Sequence, residues 1–303
     1  MPTNIRSIQP GGGAVAAIEL AWGRLRRLCL KTFFPGYVRD MKARLNGRPE
    51  SCPVEVIDAR DLKYFQNVAE CWFEPPDTRF DARDRIPLAR WGLAEAVLFA
   101  GGGGAAALIC LWPLNLPLVA PLPALFAAFV LYFFRDPRRD IPAEPGLVVS
   151  PADGKIVEIA DVDAPEFLGE PAVKIGIFLS VFNVHVNRAA TDGRVVRLRY
   201  QPGKFLNALR PSSAEENERM EIFLVEPDPP HRRYVVRQIA GAIARRIVCT
   251  LRPGQEVARG ERFGMIKFGS RTEILLPRAG FEVSVRIGQK VRGGQTVLGR
   301  YSD

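Results

Sequence analysis

The segment that most constrains this chain runs from Ala96 to Phe134: 39 residues without a charged side chain, rich in Ala, Leu, Phe and Val. A helix that crosses a bilayer needs about 20 apolar residues, so the run is about twice one span. Trp112-Pro-Leu-Asn-Leu-Pro117 breaks it near the middle. Proline interrupts a helix interior but is tolerated in a first turn, where its missing N–H has no partner to lose. The pattern predicts two helical segments, roughly 92–112 and 116–134, with Pro121 and Pro123 near the start of the second. Arg79, Arg83, Arg85 and Arg90 precede the pair, and Arg135, Arg138 and Arg139 follow it. A hairpin returns both basic flanks to one face, which the positive-inside bias makes cytoplasmic. Trp91, Trp112 and Tyr132 suit the membrane interface, and Gly101–Gly104 permits close helix packing. The expectation is a membrane hairpin over 91–135 in the inner membrane, with the folded remainder on the cytoplasmic side; the alternative is a buried core hairpin of a soluble protein.

Residues 1–90 read as a mixed N-terminal extension. Ile18 to Phe34 carries Arg24, Arg26, Arg27 and Lys31 among Leu, Trp and Phe, a basic amphipathic helix suited either to anionic lipid or to an ordinary solvated face. The apolar patch Ala14–Ala21 is short and contains Glu19, which speaks against a cleaved signal peptide. Asp-Ala-Arg-Asp occurs at 58–61 and 81–84, too short a repetition for a repeat architecture. The five cysteines are odd in number and contain no Cys-x-x-Cys pair. That speaks against a disulfide scaffold or a structural zinc site and fits a reducing compartment. With His185 and His231 as the only histidines, a His-rich metal centre is excluded and no metal is expected. The formal net charge of +9 implies an acidic partner. No stripe of aromatic residues interleaves with Lys and Arg, so the partner is expected to be anionic lipid or an anionic substrate, not nucleic acid.

After Pro137 the texture changes. Short alternating runs such as Leu147-Val-Val, Lys155-Ile-Val-Glu-Ile, Val173 to Leu179, Arg194 to Tyr200 and Arg233 to Ile239 are separated by Gly, Pro and Asp turns. This predicts a β-dominated domain over 136–303. Two late segments are alike, Pro253-Gly-Gln-Glu-Val-Ala-Arg-Gly to Gly264 and Ile287-Gly-Gln-Lys-Val-Arg-Gly-Gly to Gly299. They suggest a duplicated half-motif and a barrel-sandwich-hybrid-like fold, which speaks to fold alone.

Three stretches in this domain are candidates for chemistry. Ser150-Pro-Ala-Asp-Gly-Lys-Ile156 reads locally as a hairpin turn. Phe178-Leu-Ser-Val-Phe-Asn-Val-His-Val-Asn-Arg188 puts His185 in a Val/Phe-rich strand, where a lone histidine is more often a core residue than a catalyst. Phe263 to Glu273 contains Gly269-Ser270, ordinarily a bulge or a strand end. Together, and with Phe133-Phe-Arg-Asp-Pro137 ahead of them, these boxes resemble the phosphatidylserine decarboxylase proenzymes, particularly the shorter bacterial type, over roughly residues 116–300.

The resemblance implies self-cleavage between Gly269 and Ser270. Ser270 would become a covalent pyruvoyl cofactor at the head of a small chain that stays associated with the large one. It also implies decarboxylation of phosphatidylserine to phosphatidylethanolamine. The mechanism needs an electron sink, which the pyruvoyl carbonyl provides, and an acid/base near neutral pH, for which His185 is the natural choice. Longer members pair an Asp, a second His and the Ser for cleavage. Asp153 and Ser270 match two of these, but Arg188 stands where the second His would be. Either His185 serves both cleavage and turnover, or cleavage relies on Asp153 and backbone strain. Lys155, Arg188, Lys267 and Arg271 lie within the boxes as cations for a phosphate or carboxylate, and His231 reads as an exposed loop residue. The rival reading is a biotinyl/lipoyl-type carrier, for which Met265-Ile-Lys267 is a poor match and Gly269-Ser270 has no purpose. A phosphocarrier or metallopeptidase of related fold would need two His or a zinc set in one pocket.

Overall fold

The computed structural model describes residues 13–47, 52, 55–62, 71–73, 85–208, 213–242, 246–267 and 269–302. Helices over Gly13–Phe33 and Pro35–Ala43 open the chain, with Pro35 in the first turn of the second. Leu20, Met41, Val56, Leu62 and Phe73 bury together. Strand β1 (Asn46–Gly47) pairs antiparallel with β2 (Cys71–Trp72). Cys52 is bonded to Cys71, with Cα atoms 5.2 Å apart. The sequence argues against a disulfide scaffold, and this single pair does not make one. An odd count does not bar a pair that a long-range strand contact brings side by side. Cys29, Cys110 and Cys249 are free.

The basic helix turns part of its charge inward. Arg26 and Arg27 pair with the buried Asp58 and Asp61, at 3.0 Å to Asp58 and 2.9 Å from Arg27 to Asp61. Trp22, Leu25, Leu28 and Phe33 remain exposed, beside Arg24 and Lys31.

The uncharged run folds as two apolar helices, Arg90–Leu111 and Pro121–Phe133. The second starts later than the expected 116 because Asn115 takes a φ of +47° in the turn and Pro121 enters at the first helical turn. The first helix, at 22 residues, is long and apolar enough to cross a membrane. The second has 13 residues and rises only about 20 Å. The two touch closely at Gly103, where an added Cβ would lie 2.9 Å from the Pro123 carbonyl oxygen. Their outer ends are tied by a Leu88–Arg135 antiparallel bridge, with Ala89 N–H donating to the Phe134 carbonyl at 2.6 Å. Leu108, Leu118, Leu122 and Leu125 stay exposed on the outer side.

The remainder is β-dominated, as its alternation requires. In chain order the strands are β3 (Leu147–Val149), β4 (Gly154–Val162), β5 (Ala172–Leu179), β6 (Val186–Arg188), β7 (Gly193–Gln201), β8 (Arg219–Val225) and β9 (Arg233–Ala240). Then follow β10 (Arg246–Cys249), β11 (Glu256–Val257), β12 (Arg262–Lys267), β13 (Ser270–Pro277), β14 (Phe281–Val283), β15 (Lys290–Val291) and β16 (Val297–Tyr301). An eight-stranded antiparallel sheet runs β11-β7-β8-β9-β13-β5-β4-β15, beside three-stranded sheets β10-β12-β6 and β14-β16-β3. Ile156, Ile175, Ile177, Ile222, Ile266 and Ile274 lie in the main core. A second cluster joins the foot of the helical hairpin (Ala89, Trp91, Phe133 and Phe134) to Val186, Val248 and Met265 of the β10-β12-β6 sheet.

The two alike segments occupy opposite edges of the large sheet, β11 on β7 and β15 on β4. Their hydrogen bonds correspond one to one. Gly254 and Gly288 N–H donate to the Val195 and Ile156 carbonyls at 2.7 and 2.8 Å. Gly260 and Gly294, with φ of +80° and +78°, donate to Ala189 and Ser150 at 2.8 Å each. Arg259 and Gly293 N–H donate to Oδ1 of Asp192 and Asp153, at 2.9 and 2.7 Å. The duplication therefore includes Thr191-Asp-Gly-Arg194 and Ala152-Asp-Gly-Lys155 as partners of the two segments.

Candidate active site

The chain crosses from one sheet to another at the Gly269–Ser270 bond. Strand β12 ends at Lys267 in the three-stranded sheet, and β13 begins at Ser270 in the eight-stranded one. So short a crossover needs a left-handed residue, and Gly269 has φ +62°, a region that side chains disfavour. Its carbonyl oxygen lies so close to Gly241 that a Cβ built there would overlap it.

Ser270 stands opposite Leu179 of β5 and Ala240 of β9. It is buried, and its hydroxyl oxygen has no hydrogen-bond partner among the described residues. Burying a hydroxyl without a partner costs free energy, so an orphan of this kind calls for an explanation.

His185 reaches the backbone N–H of Gly269, on the amino side of that residue. A tight turn precedes it: Asn183 Oδ1 accepts the Ser180 N–H at 2.9 Å and its hydroxyl at 2.8 Å. The turn presents the Asn183 carbonyl to His185 Nδ1 at 2.9 Å, and Nε2 lies 3.2 Å from the Gly269 nitrogen. A carbonyl needs a donor and an amide N–H needs an acceptor, so the ring is neutral with its proton on Nδ1. Burial pushes the imidazole down from 6.5 to about 4, the Asn183 carbonyl opposes this, and the Arg135 charge adds to it. The Phe133 ring, from the foot of the hairpin, lies 4.5 Å from the imidazole. Two residues on, Asn187 Nδ2 donates to Thr272 Oγ1 at 3.1 Å and its Oδ1 accepts from Gln238 at 2.8 Å, which ties β6 to β13 and β9.

The structure thus brings together Ser270, Gly269 and His185. Asp153 is engaged elsewhere: Arg139 donates to its two oxygens at 3.0 and 2.9 Å, and Gly293 N–H to Oδ1. Three of the four box cations are taken up by carboxylates. Arg188 pairs with Asp136 at 2.8 Å, Arg271 with Glu158 and with Glu273, and Lys267 with Glu19 and Glu95. Lys155 is exposed, and so is His231, in the turn between β8 and β9.

Other residues at the site had no sequence signal. Gly241 reads as one glycine among 27. Asn217 donates to the Ala240 carbonyl at 2.7 Å, directly behind Ser270. Glu218, in what reads as a charged solvated run, is buried beside the Tyr200 hydroxyl at 3.2 Å, and burial pushes its carboxyl up to about 7. Arg135 lies half exposed 3.7 Å over the Tyr132 ring and donates to the Tyr132 and Phe182 carbonyls at 2.7 and 2.8 Å.

A buried, unpartnered hydroxyl next to a sterically confined carbonyl, with a neutral imidazole on the N–H of the preceding peptide unit, is an arrangement that suits an N-to-O acyl shift. Comparison with known proteins places the chain in a family. The family model described as phosphatidylserine decarboxylase matches residues 126–299. A phosphatidylserine decarboxylase proenzyme of Rhodopirellula baltica is 50% identical over 244 residues, covering 79% of this chain and 99% of the relative. The proenzyme of that name from Symbiobacterium thermophilum is 51% identical over 174 residues, covering 57% of this chain and 80% of its own. That of Carboxydothermus hydrogenoformans is 49% identical over 176 residues, covering 58% and 81%. With its boxes, its β-dominated domain and these relatives in agreement, the chain belongs to the phosphatidylserine decarboxylase family.

Proposed function

We propose that this chain cleaves itself between Gly269 and Ser270 to generate a pyruvoyl group, and with it decarboxylates phosphatidylserine to phosphatidylethanolamine at a membrane surface. The observation that carries the reading is the buried, unpartnered Ser270 hydroxyl beside a left-handed Gly269 whose N–H is held by His185. The Ser270 oxygen adds to the Gly269 carbonyl carbon and the C–N bond breaks, leaving an ester and a free amine. Elimination takes the proton from Cα of residue 270 and breaks its Cβ–O bond, which leaves a carboxylate at Gly269 and dehydroalanine at 270. Water then replaces ammonia to leave the pyruvoyl cap. Neutral His185 takes the hydroxyl proton once Nε2 releases the Gly269 N–H, and passes it to the departing nitrogen. One ring then serves cleavage and turnover, consistent with Arg188 standing where longer members have a second histidine.

The pyruvoyl group supplies the sink for the electrons left when CO₂ departs. Around it, His185 holds the proton destined for the α-carbon. Arg135, whose two hydrogen bonds go to carbonyl oxygens and leave its charge unneutralised, receives the anionic headgroup. Asp153 is a positioning residue here: it locks the turn against β4, whose Lys155 lies opposite Phe178 in the strand leading to His185.

We read residues 1–90 as an extension, 91–135 as a membrane hairpin and 136–303 as the catalytic domain, a barrel-sandwich hybrid on the strength of the paired turn hydrogen bonds. The exposed leucines of the hairpin, and Phe182 6.3 Å from Phe129 on the loop that leads to His185, support an enzyme seated in the cytoplasmic face of the inner membrane. Arg24 and Lys31, beside the exposed apolar face of the first helix, suit an anionic lipid surface. The carrier alternative needs a lysine at an exposed hairpin tip, whereas Lys267 is buried.

Intact-mass analysis and a denaturing gel test the proposal. The expected products are chains 1–269 and 270–303, the second with a blocked, carbonyl-reactive N-terminus, and CO₂ release from phosphatidylserine vesicles. Ser270→Ala should give one band and no CO₂; normal splitting of that variant would sink the assignment.

A further inference from the structure

We propose that Glu19 of the N-terminal extension is a positioning residue for self-cleavage, acting through Lys267. The inference rests on the cleavage reading above and deepens it. Lys267 is the last residue of β12, two positions before Gly269, and is buried. Its ammonium is bonded to the carboxylates of Glu19, in the helix Gly13–Phe33, and of Glu95, in the helix Arg90–Leu111. Arg246, directly opposite Lys267 in the β10–β12 ladder, pairs with the same Glu19 at 2.8 Å. All four side chains are buried, two cations against two carboxylates, brought together from four separate segments.

Charges in such a place are held only when paired, and removing one partner strands another. Among the described residues Glu19 is the carboxylate shared by both cations, so the end of β12 holds its position with the N-terminal helix docked against it. Glu19 and Glu95 both precede residue 126, where the family match begins. This chain thus supports a bond within the stretch that the family model matches with carboxylates that precede that stretch.

The clamp acts on one side of the bond only. Lys267 remains with the large chain after cleavage. The end that begins at 270 is held instead by β13, laddered to β5 and β9, and by the Asn187–Thr272 hydrogen bond. Loss of the clamp should therefore slow cleavage and spare turnover by chains already cleaved. General misfolding would depress both.

The test is a time course of cleavage after cell-free synthesis of the full chain into phospholipid nanodiscs, for wild type, Glu19→Gln, Lys267→Met and the double variant. Cleaved chains are counted by titration with a carbonyl reagent, and CO₂ release from phosphatidylserine is expressed per carbonyl. Misplacing a reacting group by about 1 Å costs up to about 100-fold, so cleavage in either single variant should slow by about 10- to 100-fold. CO₂ release per carbonyl should stay within about twofold of wild type, and the double variant should be no slower than Lys267→Met, as expected for groups that act as one unit. If Glu19→Gln does not fold, Glu19→Asp, which keeps the charge on a shorter arm, is read in the same way. Wild-type cleavage in the Glu19 variants, or a parallel fall in cleavage and per-carbonyl turnover, overturns the proposal. A wild-type chain that never splits overturns the underlying cleavage reading and the clamp with it.

Discussion

His185 accepts the Gly269 amide proton through Nε2 at 3.2 Å while its Nδ1 donates to the Asn183 carbonyl at 2.9 Å. A single neutral ring thus holds the residue on the acyl side of the Gly269–Ser270 bond, and in the proposed mechanism the same ring is the base. His185→Ala removes both functions. Loss of a positioned acid/base costs about 10²- to 10⁴-fold, so the chain should remain mostly whole on a gel over hours in which wild type splits fully. Splitting at the wild-type rate would remove His185 from the mechanism.

The acid limb of the pH profile follows from the same burial. Desolvation lowers the imidazole from 6.5 to about 4 in the folded chain. A depressed base stays neutral where an exposed histidine would already be charged. It therefore contributes stability that is present above 6.5 and is lost as pH falls through about 4. Cleavage of the precursor should hold its rate from about pH 8 to pH 5 and fall only as pH approaches the lowered value. A midpoint near the ordinary histidine value, in stopped-time gels across pH, would contradict the buried neutral ring.

Gly241 tests the confinement of the carbonyl. A methyl group at this position overlaps the Gly269 oxygen, and the obstacle is backbone, so it cannot swing aside. Gly241→Ala should destabilise the chain by about 1–3 kcal/mol and slow cleavage by at least about tenfold. Thermal denaturation and the gel time course measure the two effects separately.

Asp153 and Asp192 offer an internal control, since each caps the equivalent backbone N–H of a duplicated turn. Asp192 is exposed, and Asp192→Ala should cost about 0.5–1.5 kcal/mol, the usual net worth of an intramolecular hydrogen bond. Asp153→Ala should cost more, because Arg139 loses both of its bonds to that carboxylate. If Asp153 acts through the turn, cleavage in the two variants should scale with their melting temperatures. Loss of cleavage in Asp153→Ala at an unchanged melting temperature would assign it a chemical role.

The exposed leucines of the hairpin should decide membrane attachment. Leu118→Glu with Leu122→Glu places two carboxylates on the outer apolar surface, at a cost of several kcal/mol if that surface sits in lipid. Flotation with phospholipid vesicles should fall sharply, while self-cleavage in detergent stays near wild type. Unchanged flotation would point to another membrane surface.

Much of this molecule is legible from neighbouring residues. Strands β4 and β7 open with buried and exposed positions in turn, because a pleated strand turns successive side chains to opposite faces, whereas β5, β8 and β9 are short, mostly apolar runs buried on both faces. The uncharged run declares its two helices and its proline turn for equally local reasons, and the ordered boxes point to Ser270 and His185. The register between distant strands is a different matter. Gly241 beside the Gly269 carbonyl, Glu19 on Lys267, the Cys52–Cys71 bond and the twin roles of Asp153 and Asp192 depend on which segments meet. Nothing within a few residues of any of them encodes the meeting. A glutamate at position 19 looks like a solvated charge until a buried lysine 248 positions later needs a counterion. Such pairings are settled only when the whole chain packs, because the cost of leaving a buried charge or hydroxyl unmatched is felt there and nowhere earlier.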